Sequence, residues 1–505
     1  MSGFDYGSGR VAAGFGGAAV AGHPSSTLAG ANALAAGGSA IDACLAMAAC
    51  DWATMPDMCG PGGDLFALWR TKDGKVAAVN GGGPAPARYA HPSSEADRAG
   101  YCLVPGAPAA FAHLARTASR LGLDAALAPA EAVARRGSAV GARLDKQLQA
   151  LPDGPLRRAL AAANGGRLPR TGERLSMPGL GESLAAWRHS GSADSELRAA
   201  TADWRGGGAS LGEEEALAFR VEDEAALSLS FGAWTVHGQP PLSQSVGTLA
   251  ALGIAGADSV REDDPVHRTH MLVEAYKRAY AGLGGLRDGN DPHGYAKGLL
   301  APAAMRAARE SIDHRAGEGP AMSRNYGETT QCAAVDADGT VCTLIHSLYR
   351  PFGGRVLARN GWLSNDRGAA FGSGDNAPVP GQRPRHTLVG ILMSHPEEGS
   401  FAFGTPGAQA QTQTNLQIAV SLMRDPASAA AALAAPRWSF IGGAQIAVEA
   451  RMPARELDAL AGRGHRIALR PPSDWLMGSV GLVGARGSRR IAVADHRREA
   501  LALAV

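Results

Sequence analysis

The alternation of apolar and polar positions changes character once along the chain, near residue 329. Upstream, helical stretches dominate. An Ala-rich run over residues 26–50 reads as helix after a turn at His23-Pro24. The Gly37-Gly38 pair is expected to break it, with Ser39 capping a second helix from Ala40 to Cys50. Residues 64–80 read as two strands joined at Lys72-Asp73-Gly74, because Asp-Gly suits a tight hairpin turn. Residues 107–150 read as helical, 154–232 as surface helices, and a long helix is expected from Asp264 to Tyr280. Residues 286–328, with Gly, Pro and charge, suggest a mobile linker. From Thr329 onward short β-like runs alternate with turns. Thr329–Val335 and Thr340–Ser347 flank Asp336-Ala337-Asp338-Gly339, a hairpin signal. No internal repeat is evident. Helices and strands in both halves point to a layered α/β or α+β sandwich.

Composition narrows the classes of function. The 505 residues carry a net charge of only +2, so the basic footprint of a nucleic-acid partner is missing. Aromatics make up 5 % and Gly numbers 67, which predicts a core packed by Ala, Leu and Val with many tight turns. No uninterrupted run of about 18 apolar residues suggests a membrane span. The start of the chain lacks early Lys or Arg, and the Gly/Ala-rich residues 11–22 lack a Leu-rich signal core. The expectation is a cytoplasmic protein acting on a small molecule, with no cofactor and no metal. The six cysteines Cys44, Cys50, Cys59, Cys102, Cys332 and Cys342 form no Cys-x-x-Cys pair and read as small buried residues.

Two decoys need weighing. Gly14-Phe15-Gly16-Gly17-Ala18-Ala19 imitates a dinucleotide-binding turn, but the strand before it is thin and the next acid, Asp42, falls inside the Ala-rich helix. His267, His270 and Glu274 share one helical face, as metal ligands can, yet Met271, Leu272 and Ala275 make this a packed helix.

The stretch Gly327-Glu328-Thr329-Thr330-Gln331-Cys332, continuing through the Asp336–Gly339 turn to His346-Ser347, resembles the cleavage and nucleophile segment of the γ-glutamyltranspeptidase family. Weaker motifs follow the family order over most of the chain: His23-Pro24, Gly60-Pro61-Gly62-Gly63-Asp64-Leu65-Phe66, Val104-Pro105-Gly106, Gln239-Pro240-Pro241, Phe352-Gly353, Ala435-Pro436-Arg437 and Asp495-His496-Arg497-Arg498. The resemblance implies a four-layer αββα sandwich of the N-terminal-nucleophile type. It implies self-cleavage between Glu328 and Thr329 into a large subunit, 1–328, and a small subunit, 329–505, intertwined as one domain in an αβ heterodimer or (αβ)2. Thr329 is then the nucleophile and its freed α-amine, of ordinary pKa about 7.7–8.0, the base. Ser347 matches the position that hydrogen-bonds the nucleophile. Gly404-Thr405-Pro406-Gly407-Ala408 matches the loop whose backbone forms the oxyanion hole, through Gly407 and Ala408.

The head-group contacts differ from those of true transpeptidases. Where those enzymes hold an α-carboxylate and an α-amine, alignment places Gly82, Tyr349, Arg367, Ala370 and His386-Thr387. The local text resembles a divergent branch that includes an oxamate amidohydrolase and relatives of cephalosporin acylases. Losing an Asp at Ala370 removes an ammonium partner, while Arg367 and His386 add donors suited to an anion. The expected activity is hydrolysis or transfer at an amide or acyl bond of a small anionic substrate, held by Tyr349, Arg367, His386 and Thr387. The alternatives are a C–C bond hydrolase of a secondary-metabolite pathway and an unprocessed, non-catalytic homologue.

Overall fold

The computed structural model describes residues 10–322, 327–373 and 376–505. Its frame is a pair of seven-stranded sheets. The first runs Leu501–Ala504, Gly17–Ala21, Glu328–Asp336, Val341–Tyr349, Asp64–Arg70, Val76–Gly81 and Asp223–Glu224. The second runs Val11–Gly14, Arg489–Ala494, Gly481–Arg486, Gly399–Gly404, Gly390–His395, Trp234–Gly238 and Leu227–Phe231. Both sheets interleave strands from before and after Thr329, and the pairs are antiparallel.

Three apolar layers hold the sandwich. Ala18, Val20, Ala333, Val335, Ala402 and Ala492 pack between the sheets. These side chains are small, which lets the sheets pack closely and suits a sequence poor in aromatics. The outer face of the first sheet carries the helices Ala40–Thr54 and Gly122–Arg136. That of the second carries Ser245–Arg261, Pro265–Gly282 and Ala410–Arg424. The result is the α+β, four-layer αββα architecture.

The helix capped by Ser39 runs to Thr54, a turn beyond the expected Cys50, and every residue of it is buried. Its capping box pairs Ser39 with Asp42, whose carboxylate also accepts from the Arg120 and Leu121 amides at 2.8 and 3.0 Å. Two expectations need correction. Residues 154–232 are not surface helices throughout: Trp187 and Trp204 are fully buried, and Leu227–Phe231 is an edge strand of the second sheet. The expected linker contains the helices Pro292–Leu299 and Pro302–Glu310, the first capped by Asp291; its residues 323–326 lie outside the described residues.

The glycines at 14–17 carry the chain from a strand of the second sheet into a strand of the first, not into a helix, so the dinucleotide decoy falls. All six cysteines are buried and free. No helix among the described residues is long and apolar enough to cross a membrane.

Candidate active site

Thr329 stands one residue into the third strand of the first sheet, beside the central strand, which ends at Tyr349. Their register slips at this point: Glu328 faces Tyr349 and Thr330 faces His346, so Thr329 lies opposite both Ser347 and Leu348. Such a bulge re-aims side chains at the end of a ladder. Tyr349 takes a φ of +82° as the strand leaves the ladder. The Ser347 hydroxyl donates to the Glu328 carbonyl oxygen at 2.5 Å and accepts from the Tyr349 amide at 2.8 Å. A hydroxyl donor therefore sits on the carbonyl of the residue that precedes Thr329. All three residues, Glu328, Thr329 and Ser347, are buried.

The second sheet approaches from the opposite side. Its strand Gly399–Gly404 runs into the loop 405–409, which leads to the helix Ala410–Arg424. Gly407 and Ala408 have φ of +126° and +48°. A Cβ built on Gly327 would come within 3.5 Å of the Ala408 Cβ, which places this loop against the junction. Gln411, in the first turn of the helix, donates from Nε2 to Thr329 Oγ at 3.4 Å while its Oε1 accepts from the Val389 amide at 3.1 Å. Sequence reading did not pick out Gln411; the Gln409-Ala410-Gln411-Thr412-Gln413 run after the glycine loop was its only signal.

Arg367 and His386 converge on Asp64, which faces Ser347 across the next strand pair. Arg367 Nε donates to Asp64 Oδ2 at 2.6 Å and His386 Nε2 at 3.0 Å. Burial alone would raise the Asp64 carboxyl, but the Arg367 guanidinium and His386 bring it below the ordinary range. Burial and the Arg367 charge push His386 down to about 4, so its ring is neutral. Its Nδ1 accepts from the Leu388 amide, which fixes the Nε2–H tautomer. Arg367 also stacks over the Tyr349 ring at 4.6 Å, and its two Nη atoms have no hydrogen-bond partner. Asp64, passed over within the Gly60–Phe66 motif, thus engages Arg367 through Nε and His386 through Nε2, and leaves the two Nη donors of Arg367 open.

Clefts open on both sides of the 407–409 loop. One, of about 340 Å³, is lined by Tyr349, Ala370, Thr387, Asn376, Arg385 and Ala408. The other, of about 390 Å³, is lined by Glu328, Gly407, Ala408, Phe440, Trp475 and Arg498. Behind Thr329 a cavity of about 30 Å³, bordered by Arg143, Ser479 and Arg498, has room for a water molecule.

Of the histidine face on Pro265–Gly282, His270 and Glu274 come together with His465, their potential ligand atoms all within 4.8 Å of one another, and His267 does not join them. Glu274 binds Lys277 at 2.6 Å and Arg278 at 3.1 Å. His270 Nδ1 and His465 Nε2 share a hydrogen bond of 2.9 Å.

Comparison with known proteins places this geometry in context. A family model described as Gamma-glutamyltranspeptidase matches residues 26–505. The glutathione hydrolase-like YwrD proenzyme of Bacillus subtilis (strain 168) is 28% identical over 498 residues, spanning 92% of this chain and 93% of its own. The oxamate amidohydrolase proenzyme of Klebsiella pneumoniae subsp. pneumoniae is 29% identical over 457 residues, 84% of each. Among solved structures, a cephalosporin acylase from Bacillus halodurans superposes with a TM-score of 0.90 at 27% identity, covering 98% of this chain and 97% of that one.

Proposed function

The chain belongs to the γ-glutamyltranspeptidase family, and on that footing we propose that it cuts itself between Glu328 and Thr329 and then works through Thr329. It is an amidohydrolase of the N-terminal-nucleophile class. The observation that carries the proposal is the Ser347 hydroxyl on the Glu328 carbonyl oxygen at 2.5 Å. That donor polarises the carbonyl and stabilises the oxyanion that attack creates.

In the first reaction Thr329 Oγ bonds to the Glu328 carbonyl carbon. The carbon–nitrogen bond breaks and the Thr329 nitrogen takes up the hydroxyl proton, leaving an ester on Oγ and a free α-amine. Water then hydrolyses the ester, freeing the Glu328 carboxylate and the Thr329 hydroxyl. In the second reaction that amine takes the Thr329 hydroxyl proton while Oγ attacks a substrate amide. The proton passes to the departing amine, and water or another acceptor releases the acyl group. Gly407 and Ala408, at the start of a helix, are the proposed oxyanion donors. Gln411 positions Oγ.

The substrate is proposed to be a small anionic amide, in keeping with the oxamate amidohydrolase and the acylase among its relatives. Tyr349 and Thr387 form a wall of the cleft, with Arg367, His386 and Asp64 as a fixed polar platform beside it. That cleft has no carboxylate among its described lining residues. An ammonium-bearing γ-glutamyl donor therefore finds no partner for its charge. We expect γ-glutamyl-p-nitroanilide to be a poor substrate beside simple acyl-amide acids, and robust turnover of it would refute this pocket reading. The self-cleavage test is intact mass spectrometry. Two fragments of 328 and 177 residues are expected, the smaller beginning Thr-Thr-Gln-Cys. A single chain, or a cut elsewhere, sinks the proposal.

A further inference from the structure

Three arginines gather around one carboxylate just past the strand that ends at Tyr349. Asp366 is fully buried, and it ties that strand end down: its amide donates to the Leu348 carbonyl at 3.2 Å and its Oδ1 accepts from the Arg350 amide at 3.0 Å. Its Oδ2 accepts from Arg350 Nε at 2.6 Å and has Arg98 Nε at 2.7 Å, the latter without the alignment of a hydrogen bond. Arg98 also clamps the loop that follows Arg350, donating from Nη2 to the Pro351 and Gly353 carbonyls at 3.1 and 2.5 Å. That loop is folded tightly. Phe352, Gly353 and Arg355 have φ of +60°, +50° and +60°, and the Gly353 and Arg355 amides donate back to the Arg350 and Phe352 carbonyls at 2.8 and 2.9 Å. The turn brings Arg355 within electrostatic reach of Arg98, Arg350 and Asp366.

Charge and hydrogen-bonding capacity are both left over here. The Arg98 and Arg350 side chains are only 10% and 18% exposed. Burial pulls Arg98 down to about 10, and Arg350 and Arg355 pull the same way against the Asp366 charge. A guanidinium so placed is still charged at neutral pH. Three positive charges thus face one negative charge. Among the described residues, no carboxylate besides Asp366 comes within 4.0 Å of any of the three arginines. Arg350 lies over the Tyr101 ring at 5.0 Å, which fixes its plane. Arg98 Nε, Arg350 Nη2 and Arg355 Nε are buried without an acceptor, as is the Ser364 hydroxyl beside Gly354 of the same loop. A surplus of buried positive charge with open donors is costly unless an anion meets it.

We propose that Arg98, Arg350 and Arg355 bind a doubly charged oxyanion of the phosphate class. The surplus of two charges sets the valence: a dianion cancels it, whereas a carboxylate cancels half. The donor count points the same way. Guanidinium forks pair with the oxygens of a phosphate two at a time, and three forks need more acceptors than the two oxygens of a carboxylate. None of the three arginines lines the cleft of about 340 Å³ or that of about 390 Å³, so the site is separate from the one proposed for substrate. It is nevertheless coupled to it along the chain, because Arg350 follows Tyr349, which lines the smaller cleft. A bound anion therefore steadies the loop from which Tyr349 enters that wall. Binding needs no turnover, so it can be read whether or not Thr329 is the nucleophile.

The test is calorimetric titration of the purified full-length protein with sodium phosphate, sulfate and acetate, at neutral pH and low ionic strength. One site per chain is expected, with phosphate and sulfate bound at about 1 mM or tighter and acetate at least about 10-fold weaker. Arg355→Gln leaves the Asp366 contacts of Arg98 and Arg350 in place. It should weaken phosphate binding about 10–100-fold, the value of a charged hydrogen bond. Arg220→Gln, at an exposed position outside the cluster, should leave binding unchanged. Glycerol phosphate separates the two sources of such a group. Binding at least as tight as that of phosphate identifies the phosphoryl group of a small molecule, and binding of the free ion alone identifies inorganic phosphate; both uphold the site. Should Arg355→Gln not fold, the wild type serves by itself: crystals soaked in selenate should show the selenium anomalous signal among Arg98, Arg350 and Arg355. Absence of phosphate and sulfate binding at about 20 mM, acetate bound as well as phosphate, full phosphate affinity in Arg355→Gln, or selenate found only elsewhere overturns the proposal.

Discussion

The two sheets serve one site in different ways. The first supplies side chains from the ends of neighbouring strands: Glu328 and Thr329, then Ser347, then Asp64, set side by side by strand register. The second supplies backbone, the 405–409 loop with two consecutive left-handed residues, and one side chain, Gln411, from the helix that follows. Side chains on adjacent strands are fixed by the ladder, and the Ser347 hydroxyl already meets the Glu328 carbonyl. A loop at a helix start is fixed by dihedral angles, and it offers donors to whatever enters the cleft. The difference suggests that the first sheet governs cutting and the second governs turnover.

The strongest challenge is Thr329→Ala, which removes the proposed nucleophile of both proposed reactions. The chain should remain whole and inactive on a denaturing gel, and any processing of it ends the scheme. Next comes Ser347→Ala. Losing one donor to a developing oxyanion costs about 10²–10³ in rate, and we expect that loss chiefly in the cutting rate, followed by mass spectrometry over time. Gly407→Ala probes the other sheet. The nearest atom to a new Cβ there is 3.5 Å away, so space is not the obstacle, but a φ of +126° is one that L residues rarely adopt. The strain is about 1–3 kcal/mol; relieving it displaces the loop, and turnover should fall about 10–100-fold, in line with that energy, with less effect on cutting. Equal slowing of both reactions by both variants would erase the division of labour.

The smallest effect is one of pH. His386, at the first sheet, and His465, in the outer helical layer, are each pushed down to about 4, largely by burial. The unfolded chain binds these protons near pH 6.5 and the folded protein does not until about 4. Stability is therefore full above pH 6.5 and is lost as the pH falls toward 4. Tm should decline over that window, and His465→Gln should flatten the decline while leaving cutting intact. A Tm independent of pH there rules out buried neutral rings.

What the sequence disclosed follows the same division. Thr329, Ser347 and the glycine loop are local patterns, each readable within a few residues, and the fold class followed from the motifs around them. Arg367 was read as a free cation because its partner, Asp64, lies 303 residues away along the chain. Gln411 and Arg498 reach the junction only once the two sheets face each other, so no local spacing marks them. The two helices within residues 286–328 were missed although Asp291-Pro292 and Pro302 are good helix starts, because the surrounding Gly and charge read as linker.

Under the proposed cut, the interleaving of strands from before and after Thr329 in both sheets has a thermodynamic consequence. Folding of the intact polypeptide is a first-order event, whereas melting of the cut protein releases two polymers and its reversal is second order. The fold is then reached while the chain is single and preserved afterwards by the height of the unfolding barrier. The midpoint of the cut form rises with protein concentration, while that of Thr329→Ala does not. The proposed cut would thus convert an equilibrium structure into a kinetically guarded one.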